Sequence, residues 1–258
     1  ERYALNLGKL LFWPVHRKLG GRLRILVSGG SALSPEVQRA FHEMGFDLYE
    51  GYGLTETSPV LSVSTPDDPV RVGHVGKALP GVELRIHEPD AAGVGEVLAR
   101  GPNVMLGYFS GGEGAPAVDR PATDAVLRDG WLHTGDLGRL DAEGRLTIVG
   151  RQKDVIIDAN GKNVYPDEVE ELYREPDLVA ELSAVGLPEP DGEKVALLVV
   201  PSWRDRDRAE VRRMVEEHLR KVTVSLPFHK RAKVWHLVDE PLPRTATRKV
   251  RRPLVVQE

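Results

Sequence analysis

The residues of this chain most able to do chemistry lie in short clusters separated by ordinary globular sequence. Gly51–Glu56 reads GYGLTE. Its glycines allow backbone N–H groups to approach an anion closely. Thr55 could donate to a phosphate oxygen, and Glu56 could hold Mg²⁺ directly or through water. A strand-to-loop turn with a solvated glutamate would read the same way. Ser28–Leu33 reads SGGSAL, at the carboxyl end of an apolar run, where α/β sheets bind ligands. The small residues there leave room for a planar ring, although glycine turns between strand and helix are common. Trp131–Asp136 reads WLHTGD. A carboxylate such as Asp136 can accept two adjacent sugar hydroxyls, or it can cap a turn. Lys249 sits in LPRTATRKVRR, Leu242–Arg252. As a compact point charge it could neutralise negative charge building between a carboxylate oxygen and an α-phosphate. Alone, that basic stretch also fits a solvated tail.

The elements that must position these clusters follow from periodicity and punctuation. Residues 1–20 carry Leu7, Leu10, Leu11, Val15 and Leu19 at helical spacing. Leu23–Gly30 reads as a buried strand ended by glycines. Ser34-Pro35-Glu36 starts a helix with a hydroxyl cap, proline at the first position and an acid at its positive end. Val37, Phe41 and Met44 mark one face, Gly45 ends it, and Asp47–Tyr52 returns as a parallel strand. From Val75 the period becomes two, with short strands at Val82–Ile86, Glu96–Ala99 and Arg145–Val149, the reading of a small β-barrel or sheet. Asp136 is expected at a strand start, residues 110–121 as a loop, and Gly95–Phe109 in core and turn roles only.

Residues 151–258 read as a separate compact α+β domain. A helix begins at Pro166 with Val169, Leu172 and Tyr173 inward, and a second spans Arg208–Val222 on Val211, Val215, Leu219 and Val222. Strands are expected at Ala196–Val200 and Ala232–Val238. Gly161 lies in an ANGKN turn that suits a hairpin glycine at positive φ. The expected domains are therefore 1–150 and 151–258.

Composition sets limits. The chain has 258 residues and a formal net charge of −4. The first 150 residues hold 15 Lys+Arg against 19 Asp+Glu, and the remainder hold 20 of each. Zero cysteines exclude disulfides, thiolate metal sites and a cysteine nucleophile, and fit a reducing cytoplasm. No run of about 18 apolar residues is present, so no membrane-spanning helix is expected. The opening ERYALNLGKL carries no signal pattern and reads as an internal position of a longer protein. Arg244, Arg248, Lys249, Arg251 and Arg252 lack interleaved aromatics, and the nearby Val250, Leu254, Val255 and Val256 point to packing. Nucleic-acid binding is not expected.

GYGLTE, WLHTGD, GRQKDVIIDANGKNVYPDEVE (Gly150–Glu170) and LPRTATRKVRR occur in order at compatible distances. Together they resemble the adenylate-forming superfamily of acyl-CoA synthetases, adenylation domains and luciferases, over the back half of that family's usual length. The resemblance implies a large α/β AMP-binding domain, of which residues 1–150 are the C-terminal portion with a β-barrel-like region. Residues 151–258 would be the small mobile domain. It implies that backbone at Gly29, Gly30, Ser31 and Ala32 walls the adenine, that Tyr52 stacks nearby, and that Asp136 and Arg151 hold the ribose. Thr55 and Glu56 would meet the phosphates and Mg²⁺, Lys153 would be the hinge, the face around Gly161 would line the thiol's route, and Lys249 would be catalytic. His133 occupies a variable position with no catalytic role expected.

The implied activity is fatty acid activation by ATP to an acyl-adenylate, then transfer to CoA. GLTET and NVYPDEVE resemble the medium- and long-chain fatty acid ligases, since amino-acid-activating relatives typically carry proline where Leu54 stands. A fatty acyl-AMP ligase loading a carrier protein is the near alternative, and a non-catalytic nucleotide-binding remnant the farther one. Two departures stand out. Arg248 replaces the glycine that usually precedes the lysine, and the family's Ser/Thr/Gly-rich phosphate loop is absent from all 258 residues. The chain alone is therefore expected to bind AMP weakly and not to turn over. Acyl chain length, oligomeric state and peripheral membrane contact stay open at this level.

Overall fold

A computed structural model describes residues 7–31, 33–68, 72–110, 117–204, 206–245 and 250–255. The chain divides into two compact units, Glu1–Ile148 and Val149–Glu258.

The first unit opens with two short helices, α1 (Gly8–Leu11) and α2 (Trp13–Lys18), then β1 (Leu26–Gly29), α3 (Pro35–Glu43) and β2 (Leu48–Tyr52). Ser34 Oγ accepts the Glu36 N–H and Gly45 closes α3 at φ +87°, as the cap and stop residues dictate. β1 and β2 pair in parallel, Gly29 beside Gly51. β3 (Ser62–Val63) and β4 (Lys77–Ala78) complete a four-stranded sheet in the order β1-β2-β3-β4. The strand expected to be buried is instead an exposed edge: Ile25 is 53% and Val27 63% exposed. Leu10 and Leu11 are more exposed still, and the expected long helix breaks at Phe12. Helical spacing finds a face but not what covers it. On α3 the buried residue is Gln38, whereas Val37 is exposed.

The rest of this unit is β5 (Glu83–His87), β6 (Gly95–Arg100), the hairpin β7 (Tyr108–Ser110) and β8 (Ala117–Asp119), then α4 (Arg120–Val126) and β9 (Leu127–Arg128). β10 (Trp131–Leu140) and β11 (Leu146–Arg151) follow. An open half-barrel sheet runs β11-β10-β6-β5, with β9 on β10. Part of the expected 110–121 loop is strand and helix instead: Ser110 pairs with Ala117, and Asp119 Oδ1 caps α4 at the Ala122 N–H. Leu61, Ala99 and Leu132 form the core of this region.

The second unit holds the hairpin β12 (Ile156–Ile157) and β13 (Asn163–Val164), α5 (Pro166–Tyr173), β14 (Val179–Glu189), β15 (Gly192–Pro201), α6 (Arg208–Ser225), β16 (Val234–Leu237) and α7 (Arg252–Val255). β14, β15 and β16 form a sheet, with the first pair antiparallel and the second parallel. Val211, Val215 and Leu219 of α6 are fully buried, four residues apart on one stripe. At about 1.5–3 kcal/mol for each large side chain buried, that stripe is a principal stabiliser of the unit. On α5, Val169 and Tyr173 face inward as expected, but Leu172 is 40% exposed because so short a helix offers only a narrow inner stripe. Among the described residues no helix is long and apolar enough to cross a membrane.

Candidate functional site

Parallel pairing of β1 and β2 sets the site. Their carboxyl ends lie side by side, so the turn after Gly29 and the GYGLTE segment leave the sheet together. Gly29 has its missing Cβ position 3.2 Å from the Gly51 carbonyl oxygen, and Gly30 stands at φ +85°. The buried Glu50 carboxylate accepts the Leu33 N–H, tying the far end of the glycine turn back to β2. Burial holds the Glu50 carboxyl above its ordinary range, a rise that the Leu33 bond only partly offsets. Ala32 lies outside the described residues.

Gly53 is where GYGLTE needs a glycine most. A Cβ there would sit 1.8 Å from the Pro59 carbonyl oxygen. The buried Thr57 hydroxyl accepts the Leu54 N–H at 2.9 Å and reaches the carbonyls of Leu54 and Pro59. Asn103 donates to the carbonyls of Thr57 at 3.0 Å and Val60 at 2.8 Å, and Met105 N–H to the Glu56 carbonyl. So braced, the single turn Thr55–Thr57 presents Thr55 exposed and Glu56 half-buried.

Glu56 Oε1 accepts the Tyr108 hydroxyl at 2.8 Å. Burial, then this carboxylate, raises the Tyr108 phenol above its ordinary pKa, so it stays a donor. Among the described residues no group binds the other Glu56 oxygen, nor is there a cluster of three acidic, His or Cys side chains for a metal. One carboxylate with an open oxygen suits Mg²⁺, which is commonly held by one or two carboxylates together with substrate phosphates.

Asp136 lies inside β10, not at a strand start. Between His133 opposite Leu98 and Leu137 opposite Glu96, three residues of β10 face the single Val97. Such a bulge re-aims a side chain. Gly135 takes φ +69° at its centre and donates to Glu96 Oε1 at 3.1 Å. Thr134 donates to the Val97 carbonyl at 2.7 Å and accepts the Asp136 N–H. The other Glu96 oxygen lies 2.7 Å from His133 Nδ1, giving that histidine a structural partner. Tyr52 donates to Asp136 Oδ2 at 2.7 Å, joining the bulge to the end of β2.

The first unit thus gathers Gly29, Gly30, Ser31, Tyr52, Thr55, Glu56 and Asp136. The second unit carries Arg151 at the end of β11, Lys153 in the turn Gln152–Asp154, and Gly161 at φ +72° in the β12–β13 hairpin. In that hairpin Asp158 Oδ1 accepts the N–H groups of Lys162 and Asn160, which hold its carboxyl below the ordinary range. Lys249 and Arg248 lie outside the described residues. Sequence reasoning missed Tyr108, Asn103, Thr57 and Glu96, which brace the expected groups from 39–52 residues away or from inside the same turn. The one available signal was a phenol and an amide in a segment read as core.

Residues 4–109 match the family described as AMP-binding enzyme, and residues 168–249 match its C-terminal domain. The chain belongs to the adenylate-forming superfamily. Among its superfamily relatives, the indoleacetate–CoA ligase of Aromatoleum aromaticum is 38% identical over 91% of this chain and 44% of its own length. The long-chain-fatty-acid–CoA ligase FadD15 of Mycobacterium bovis is 39% identical over 70% of this chain and 28% of its own. ATP-bound MatB from Rhodopseudomonas palustris superposes with TM-score 0.75 at 31% identity, over 93% of this chain and 46% of that one. The o-succinylbenzoate CoA synthetase of Bacillus subtilis with its acyl-adenylate gives 0.74 at 27%, over 96% and 49%. The chain therefore spans less than half the length of these superfamily members.

Proposed function

We propose that this chain is the adenine-, ribose- and lysine-bearing portion of an acid–thiol ligase, a fatty acyl-CoA synthetase working in the cytoplasm. The observation that carries this is the joining of three motif segments in one unit: the Gly29 turn beside GYGLTE, and GYGLTE linked through Tyr52 to Asp136. ATP would lay its adenine against Gly29–Ala32 beside Tyr52, its ribose on Asp136 and Arg151, and its phosphates near Thr55. Glu56 would hold Mg²⁺, which would supply charge neutralisation on those phosphates.

In the first half-reaction a carboxylate oxygen forms a bond to the α-phosphorus and the bond to pyrophosphate breaks. Lys249 stabilises the charge that builds between them. The second unit then turns about Lys153, carrying Lys249 away and bringing the Gly161 face in. The CoA thiol loses its proton as sulfur bonds to the acyl carbon, and AMP leaves. CoA ligases among the relatives support the thiol acceptor, and the long-chain fatty acid ligases support the acid. The indoleacetate ligase aligns over more of the chain, so arylacetic acids belong in the test.

That test uses the intact protein with ATP, Mg²⁺ and a ladder of fatty and arylacetic acids, with and without CoA. CoA-dependent thioester and AMP, peaking at one fatty acid, is the expected result. Adenylate accumulating regardless of CoA would point to carrier loading. A peak on an arylacetic acid would move the substrate class, and no adenylate at all would sink the catalytic reading and leave a nucleotide-binding remnant. The chain alone should form no thioester.

A further inference from the structure

The second unit keeps a buried charge cluster centred on Arg252, the first residue of α7. Its Nη1 donates to Asp154 Oδ2 at 3.0 Å, and its Nη2 to Glu170 Oε1 at 2.9 Å and to Asp167. The Arg252 side chain is 18% exposed, with Asp154 at 14% and Glu170 at 19%. Burial works against the guanidinium charge, but Glu170 and Asp167 outweigh it and keep the pKa above that of an ordinary arginine. Glu170 Oε1 also accepts the Ala184 N–H of β14 at 2.9 Å. Arg252 therefore fastens together the turn Gln152–Asp154, helix α5 and the C-terminal segment, and Glu170 ties this cluster to strand β14.

The positions of its partners along the chain give the cluster its meaning. Asp154 directly follows Lys153, and Arg252 stands three residues after Lys249. The flanks of the lysine-bearing stretch are also held. Glu181 Oε2 accepts the Leu242 N–H at 2.9 Å and pairs with Arg244 at 3.0 Å. Arg244 and Val250 form an antiparallel bridge, Arg251 N–H donates to the Pro243 carbonyl at 2.8 Å, and Leu242 and Val255 are buried in one apolar cluster. A buried arginine among carboxylates adds little net stability over apolar packing of the same volume. What its planar fork does supply is fixed geometry that lysine cannot reproduce.

We infer that Arg252 is a positioning residue for the adenylation step: it fixes the start of α7, three residues after Lys249, to Asp154, next to the hinge. Held on this anchor, the lysine would move with the second unit. This rests on the roles proposed for Lys249 and Lys153. Misplacing a reacting group by about 1 Å costs on the order of 100-fold.

The experiment separates the half-reactions in the intact protein. Adenylation is read by pyrophosphate exchange, and thioester formation from supplied acyl-adenylate and CoA. Arg252→Lys should lower adenylation kcat by about 10- to 100-fold, with KM for ATP and the thioester step each changed by less than about threefold. Asp154→Asn leaves Arg252 paired with Asp167 and Glu170, so the unit keeps its fold. It should show the same split at about five- to tenfold. Equal losses in both half-reactions would mean that Arg252 merely maintains the fold, and no loss in either variant would also overturn the inference. Lys249→Ala is the reference. If adenylation survives it, the reading of the lysine fails and takes this inference with it. If it abolishes adenylation while Arg252→Lys does not, only the inference falls.

Discussion

Asp136 and Arg252 are both held by networks, but of different material. Around Asp136 the first unit uses a bulge, a positive-φ glycine and two neutral hydroxyls, Tyr52 donating to the carboxylate and Thr134 accepting the Asp136 N–H, over the small apolar cluster of Leu61, Ala99 and Leu132. Around Arg252 the second unit uses charged partners beside a far larger apolar core that includes Val169, Tyr173, Val211, Val215 and Leu219. The first unit also leaves Leu10, Leu11 and Val27 more than 60% exposed. Backbone geometry therefore defines the nucleotide side, whereas packing defines the lysine side. Damage to the turns of the first unit should show as lost precision, and damage to the apolar core of the second as lost folding.

The harshest test of that contrast is Leu219→Ala. Truncating this fully buried residue should cost about 2–5 kcal/mol. Thermal unfolding of the 258-residue chain should show the second unit melting earlier while the first keeps its transition. A single shifted transition for the whole chain would break the contrast. Gly53→Ala comes next. A Cβ cannot lie 1.8 Å from the Pro59 oxygen, so the GYGLTE turn must move, at about 1–3 kcal/mol. ATP binding by the intact protein should fall more than its melting temperature does. An unchanged ATP affinity would show that the turn is not part of the nucleotide site.

The contrast also explains what could be read from sequence. Packing periodicity is local, so α6 was legible from Val211, Val215 and Leu219 alone, and the cap Ser34 and the first-turn proline Pro166 marked helix starts. The glycine turns were legible because only a few residue types tolerate their backbone. The bulge that aims Asp136 was not, since it is defined by pairing with Val97, 39 positions earlier. The brace from Tyr108 to Glu56 spans 52 residues and leaves no periodic trace. β14 escaped notice because its burial does not alternate. Val27 looked buried because composition records apolarity and not its cover.

Tyr108→Phe sharpens the comparison on the first unit. It removes one hydroxyl from Glu56 and keeps the ring, a change of about 1 kcal/mol. Glu56 would then lose its fixed orientation without losing its charge. Half-saturating Mg²⁺ for adenylation by the intact protein should rise roughly fivefold, the equivalent of that energy, with folding unaffected. An unchanged Mg²⁺ requirement would remove Tyr108 from the site and leave it a packing residue.

The smallest effect expected is a gain. Glu50 is 7% exposed, and burial raises its carboxyl above the ordinary 4.5 despite the bond from the Leu33 N–H. Below the unfolded value both states hold the proton, and the protonated side chain costs the fold nothing. As pH rises from there through the folded value, the unfolded chain gives up its proton more readily, so stability falls and stays reduced above it. Glutamine has no proton to lose, and its carbonyl can still accept from Leu33. Glu50→Gln should therefore melt with the parent chain near pH 4 and slightly above it at pH 7, the gap opening between. A gap that is flat with pH would mean the carboxylate is not penalised by burial. If the variant gains stability but loses AMP affinity, charge at Glu50 serves the glycine turn, and the nucleotide side depends on more than backbone geometry.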